Sequence, residues 1–173
     1  FDSYRLLVAP MLYMLRPGVA ERIADFVRNG GTLVCTYQSG WVDESDLCFL
    51  GGWPGAGLRQ VLGIWDEETD CLYPGQTNRV ICEKGNALGL VGEYEAREIC
   101  ALVHAEGAEV LATYGDDFYA GRPALTRQSH GQGEAYYVAA RTEAAFLDAL
   151  YGRLVERLTL RRPLPAALPQ GVT

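Results

Sequence analysis

The feature that most constrains this chain lies over residues 6–37, where two continuous apolar segments bracket one amphipathic segment. The apolar segments are Leu6-Leu7-Val8-Ala9 and Thr32-Leu33-Val34-Cys35-Thr36-Tyr37, and neither alternates with polar residues. Strands of that kind are buried on both faces, as in parallel sheets covered by helices. Between them Val19, Ile23, Phe26 and Val27 recur at helical spacing, while Glu21, Arg22, Asp25 and Arg28 fall largely on the other side. Pro17 suits the first helical turn, where its missing N–H costs no hydrogen bond. Arg28 meets the negative end of the helix dipole, and Asn29-Gly30-Gly31 tolerates the positive φ at which helices commonly stop. Strand, helix and strand over roughly thirty residues make a βαβ unit with a right-handed crossover. The predicted class is therefore α/β, with three layers and a mostly parallel sheet flanked by helices.

A long loop follows over residues 38–57, beginning at Ser39-Gly40 and closing with Gly51-Gly52-Trp53-Pro54-Gly55. Connections of that length are commonly functional or interfacial. Asp43-Glu44-Ser45-Asp46 is expected to cap a short helical turn, and residues 58–62 to form another short helix ended by Gly63. From Ile64 onward the pattern changes to short strand-like runs at 64–65, 71–73, 79–82, 98–103, 108–114 and 134–140, separated by turn formers. Thr142 reads as the hydroxyl cap of a last helix whose row is Phe146, Leu150, Leu154 and Leu158. The expected organisation is one domain over residues 1–160 and a proline-containing tail or linker at 161–173.

Composition excludes several classes. A net charge of -7 and a pI near 4.8 argue against nucleic acid or an anionic membrane as partner, since both need clustered Lys and Arg. The chain holds no apolar run long enough for a membrane span. Its five cysteines, at 35, 48, 71, 82 and 100, are widely spaced, and with two histidines they suggest neither a zinc site nor a disulfide framework. Dispersed free thiols fit a reducing cytoplasm. No metal or cofactor is expected. The opening at Phe1 suggests a piece of something longer.

Several constellations carry possible chemistry. Cys35 stands near the end of a strand, where doubly wound folds place active sites, and His104 or His130 could assist it. A nucleophile elbow needs small neighbours, however, and Cys35 is flanked by the β-branched Val34 and Thr36. Asp43, Glu44 and Asp46 could hold a divalent cation, though capping and solvent exposure explain them as well. The glycines of residues 51–57 lack the lysine and the preceding strand that a phosphate-binding loop requires. Trp41, Phe49, Leu50 and Trp53 crowd one loop, and composition leaves open whether they pack beneath it or against another subunit. Trp41 or Trp53 could also serve as a stacking platform for a sugar.

The segments Tyr4-Arg5-Leu6-Leu7-Val8-Ala9-Pro10-Met11-Leu12-Tyr13, Pro17-Gly18-Val19-Ala20-Glu21-Arg22-Ile23, Asn29-Gly30-Gly31-Thr32, Gly40-Trp41-Val42-Asp43-Glu44-Ser45-Asp46-Leu47-Cys48-Phe49-Leu50-Gly51-Gly52 and Gly131-Gln132-Gly133-Glu134-Ala135-Tyr136-Tyr137-Val138 resemble the middle domain of glycoside hydrolase family 42 β-galactosidases. The Asp-Glu-Ser-Asp-Leu block with its trailing glycines is the most specific part. The resemblance implies a flavodoxin-like, class I glutamine-amidotransferase-like fold whose Cys-His-Glu site has been lost. It also implies a trimerisation role and self-association as a homotrimer. Galactoside binding and both catalytic glutamates belong to the family's TIM barrel, so no catalytic residue is carried over here. Trp41, Phe49 and Trp53 are then expected to anchor subunit contacts, with Asp43 and Asp46 organising the loop. The family's domain begins with an additional strand and helix ahead of Tyr4, so the edge of the first strand is expected to be open.

Overall fold

The computed structural model describes residues 1 and 3–161. The expected tail lies, apart from Arg161, outside the described residues. In chain order the elements are β1 (Leu6–Ala9), β2 (Met14–Leu15), α1 (Val19–Arg28), β3 (Thr32–Thr36), β4 (Val42–Asp43), α2 (Leu58–Leu62) and β5 (Ile64–Cys71), then β6 (Asn78–Cys82), β7 (Glu93–Ala105), β8 (Glu109–Tyr114), β9 (Pro123–His130), β10 (Gly133–Val138), β11 (Ala140–Thr142) and α3 (Ala144–Arg157).

The βαβ unit forms where the sequence places it, but β1 is only half-buried, with Val8 exposed, and not covered on both faces as its apolar run predicts, because it stands at the end of the sheet. β1 and β3 pair in parallel, Leu6 opposite Thr32 through Ala9 opposite Cys35, and every residue of β3 is buried. α1 buries Ala20, Ile23, Phe26 and Val27, and its end is closed by the Asn29 N–H on the Asp25 carbonyl and the Gly31 N–H on the Phe26 carbonyl. Pro17 stands one residue outside the helix, because Gly18 at φ 78° takes the N-cap position.

The main sheet has nine strands in the order β1-β3-β10-β9-β8-β6-β7-β11, with β5 joined to β7. It is mixed. β1, β3 and β10 are parallel to one another, and the remaining pairings are antiparallel. The α/β class stands, with the parallel part confined to the layered half that carries α1. β11 follows β10 after the single residue Ala139, yet it pairs with β7 at the far end of the path. The antiparallel half therefore curls back on itself, enclosing the edge-to-face pair Tyr114–Tyr119 and the bond from the Tyr114 hydroxyl to the Ala101 carbonyl.

Alternation along β10 assigns the layers. Gly133 sits against α1, where a Cβ would lie 2.2 Å from the carbonyl oxygens of Gly31 and Val27, so only glycine permits this approach. Glu134 points to the opposite face, where Arg157 of α3 reaches it. α3 buries Phe146, Leu150 and Leu154 of its predicted row. Its N-cap is Glu143 rather than Thr142, which is the last residue of β11, and the Glu143 carboxylate accepts the Glu95 N–H instead of capping the helix. β1 is the end of the sheet, and Tyr4, Val8, Met11, Tyr13 and Met14 beside it are exposed.

Candidate functional site: the aromatic loop and its buried carboxyl

The loop leaves β3 at its carboxyl end and is tied at once to the segment after β1. Thr36 Oγ1 accepts the Met11 N–H at 2.8 Å, and Ser39 Oγ accepts from Leu12 N while donating to the Thr36 carbonyl. Trp41 N donates to the Tyr13 carbonyl at 2.9 Å, and β2 and β4 then pair in parallel, Met14 with Val42 and Leu15 with Asp43.

No helical turn follows. The acidic block instead folds into a tight hairpin, with an isolated bridge between Val42 and Cys48. One carboxylate oxygen of Asp43 accepts the N–H groups of Ser45 at 2.7 Å and Leu47 at 3.1 Å, and Asp46 takes φ 63°. A short polar side chain satisfying the backbone two residues on explains why a turn wins over a helix here. The hairpin presents Leu47 at 65% exposure and, just beyond it, Leu50 at 99%.

Three of the predicted anchors lie underneath that tip. Trp41 and Trp53 stack on each other, centroids 4.4 Å apart and planes 12° apart, with Tyr13 tilted against Trp41 at 6.1 Å. Phe49 is half-buried against the core, over Gly55, where a Cβ would lie 2.2 Å from its ring. The structure thus brings Trp41, Phe49 and Trp53 together as the loop's own packing, with Asp43 and Asp46 shaping its turn. The apolar tip belongs to Leu47 and Leu50.

Beneath the stack lies a residue the sequence reading missed. Asp66 on β5 is 1% exposed, its N–H donating to the Trp53 carbonyl at 2.9 Å. The Tyr137 hydroxyl donates to its Oδ2 at 3.3 Å, while Oδ1 has no hydrogen-bond partner, and the buried Nε1 atoms of Trp41 and Trp53 have none either. Burial pushes the Asp66 carboxyl up to about 7, against the lowering influence of Tyr137 and the nearby Trp41 indole. The signal was present in the alternation of Ile64, Trp65 and Asp66, which puts Asp66 on the inward face with Ile64.

The alternative catalytic groups are not assembled. Cys35 is fully buried, and burial pushes its thiol up to about 12 despite a bond to Ser39. A thiol in that state is not a nucleophile at neutral pH. His104 lies on β7, bound to Glu67 at 2.7 Å and stacked on Trp65 at 4.8 Å, and His130 ends β9. The β3–β10 register sets Tyr137, not a histidine, beside Cys35. Among the described residues no group of three or more His, Cys, Asp or Glu side chains is placed to hold a metal.

Layered sheet and long apolar-tipped loop together define an α/β domain. Over residues 1–161 the chain matches the β-galactosidase trimerisation domain, and it belongs to that family. It is 58% identical over 172 residues to the β-galactosidase Pbg of Clostridium perfringens and 55% identical over 172 residues to BglY of Alicyclobacillus acidocaldarius. In both cases the match covers 99% of this chain and 25% of the relative. Among solved structures, the β-galactosidase from Rahnella sp. R3 superposes with a TM-score of 0.94 at 54% identity, over 98% of this chain and 25% of that one. The chain spans about a quarter of the length of the relatives it matches.

Proposed function

We propose that this domain holds together the copies of a β-galactosidase, and that the whole protein is a homotrimer hydrolysing terminal β-D-galactosides in carbohydrate metabolism. The observation that carries this reading is the match of nearly the whole chain to a quarter of such enzymes, in a family defined by trimerisation. Catalysis and galactoside binding are assigned to the barrel part of the longer protein, and the net acidity and five free thiols favour a cytoplasmic setting.

The contact surface we assign is the tip of the aromatic loop and the neighbouring end of β1. Leu47 and Leu50 project from a hairpin fixed by Asp43, and Met11, Tyr13 and Met14 extend the apolar surface beside it. The Trp41–Trp53 stack and Phe49 give that surface a stiff base. A rigid apolar projection loses little side-chain entropy when covered, which suits it to a subunit contact. The sugar-platform alternative is weaker, because Trp41 and Trp53 each give one face to the other and Tyr13 also lies against Trp41. Light scattering on the full-length protein is the test. A trimer that dissociates when Leu50 is replaced by Asp supports the reading, and a monomer with undiminished galactosidase activity overturns it.

A further inference from the structure

We infer that Arg59 is a positioning residue for subunit association, a strut that holds Leu50 out as a preformed contact for a second copy of this chain. The inference rests on the self-association proposed above. Leu50-Gly51-Gly52 is the part of the loop with the fewest ties. On one side Phe49 N donates to the Trp41 carbonyl at 3.0 Å, and on the other the Trp53 carbonyl accepts from Asp66 N at 2.9 Å. Between them, among the described residues, the main chain of residues 50–52 makes a single hydrogen bond, from Arg59 Nη1 to the Gly51 carbonyl at 3.1 Å. Gly51 and Gly52 stand at φ 93° and 97°, and glycine has more backbone freedom to lose than any other residue. Without that bond the turn is free to fold its leucine down onto apolar neighbours, a move the hydrophobic effect favours. Leu50 nevertheless stands 99% exposed.

Arg59, on α2, is itself braced. Its Nε and Nη2 form a fork on the Glu106 carboxylate, with Nε at 2.6 Å, and its guanidinium lies 5.6 Å from the centroid of the Trp65 ring. Glu106 is tied in turn to the end of α2, since its N–H donates to the Gly63 carbonyl at 2.7 Å. Gly52 closes over this assembly, where a Cβ would lie 2.9 Å from Trp65 Nε1 and 3.1 Å from Arg59 Nη1. The fork on Glu106 leaves Nη1 for the loop, a division that a lysine ammonium cannot reproduce. A contact fixed before association loses less freedom when a partner covers it.

A double-mutant cycle in the full-length protein tests this, read by sedimentation as the concentration at which the oligomer half-dissociates. Arg59→Ala should raise that concentration about tenfold, because the turn must then be ordered on association. In the Leu50→Ala background the same substitution should change it by no more than about twofold, since Arg59 has no contact left to position. Arg59→Lys keeps the charge but loses the fork, and should behave as Arg59→Ala does. Amide exchange over residues 50–53 should quicken in Arg59→Ala while α3 keeps its protection. An oligomer whose dissociation Arg59→Ala leaves unchanged overturns the strut, as does an equal effect of Arg59→Ala with and without Leu50. Wild-type association in Arg59→Lys overturns it too, and exchange that quickens throughout the domain would make Arg59 a general stabiliser instead. A wild type that is monomeric at every concentration removes the self-association reading as well, so the two failures are told apart.

Discussion

Tyr137 and Asp66 stand 71 residues apart in sequence, and the hydroxyl of the first lies 3.3 Å from the buried carboxyl of the second. The bond joins the layered half of the molecule to the curled antiparallel half directly beneath the aromatic loop. A folded-state pKa of about 7 against 3.8 for the free side chain means that the native state binds the extra proton between those values. Stability therefore falls as pH rises through that window and levels off above it. The rise corresponds to at most about 4 kcal/mol. Chemical denaturation of the wild type and Asp66→Asn should show a gap that grows in favour of the variant from about pH 4 to about pH 8. A constant gap would show that Asp66 is ionised throughout.

Glu134 gives the opposite sign. Burial acts to raise its carboxyl, but bonds from Arg127, Tyr136 and Arg157 outweigh it and hold the group down at about 2, below its usual 4.5. Its contribution is present above 4.5 and is lost as pH falls towards 2, with at most about 3 kcal/mol at stake. Glu134→Gln should be destabilised at neutral pH, and the deficit should shrink steadily in denaturation curves taken at more acid pH. Because Arg157 ties α3 to the sheet through Glu134, the loss should appear first as faster amide exchange in α3.

The tip of the loop should show its role in oligomer size. If the tip is the contact surface proposed above, Leu50→Asp removes an anchor and brings a charge into the surface that covers it, and the cost of a central contact of this type is about 2 kcal/mol or more. Sedimentation should show dissociation at higher protein concentration than for the wild type, with the thermal unfolding of the domain itself little changed because Leu50 makes no core contact at 99% exposure.

Thiol labelling gives an independent check of the layering. Cys48 and Cys71 are exposed, whereas Cys35, Cys82 and Cys100 are buried. Under native conditions an alkylating agent should modify the first two, and in denaturant all five, as read by intact mass. Cys48 lies in the loop hairpin and should be protected when the protein assembles through that face. Rapid native labelling of Cys35 would contradict its burial.

Gly133→Ala probes the seam between α1 and β10. The added Cβ meets two backbone carbonyls at 2.2 Å, and neither can swing aside as a side chain would. Destabilisation of about 2 kcal/mol or more is expected from overpacking of this kind, measurable as a lower unfolding midpoint.

The parts of this fold that depend on local pattern were readable in advance. Continuous apolar runs, one amphipathic helix and a glycine stop specify the βαβ unit without help from the rest of the chain, and Phe146, Leu150 and Leu154 mark the last helix in the same way. The pairing of Asp43 with nearby backbone N–H groups is equally local, although the motif read as a helix cap and became a turn. β9 escaped notice because Pro123-Ala124-Leu125-Thr126-Arg127 lacks strong alternation, and its strand exists because β8 and β10 pair with it on either side.

Residue pattern alone settled the layered core, the net acidity and the family resemblance, since each follows from neighbours along the chain or from composition. Only the tertiary structure decided that the sheet is mixed and curls back through β11, that Trp41 and Trp53 stack upon each other while Leu50 stands free, and that Asp66 lies buried against Tyr137. Those outcomes depend on strand partners and on burial, and both are fixed by contacts between residues far apart in sequence.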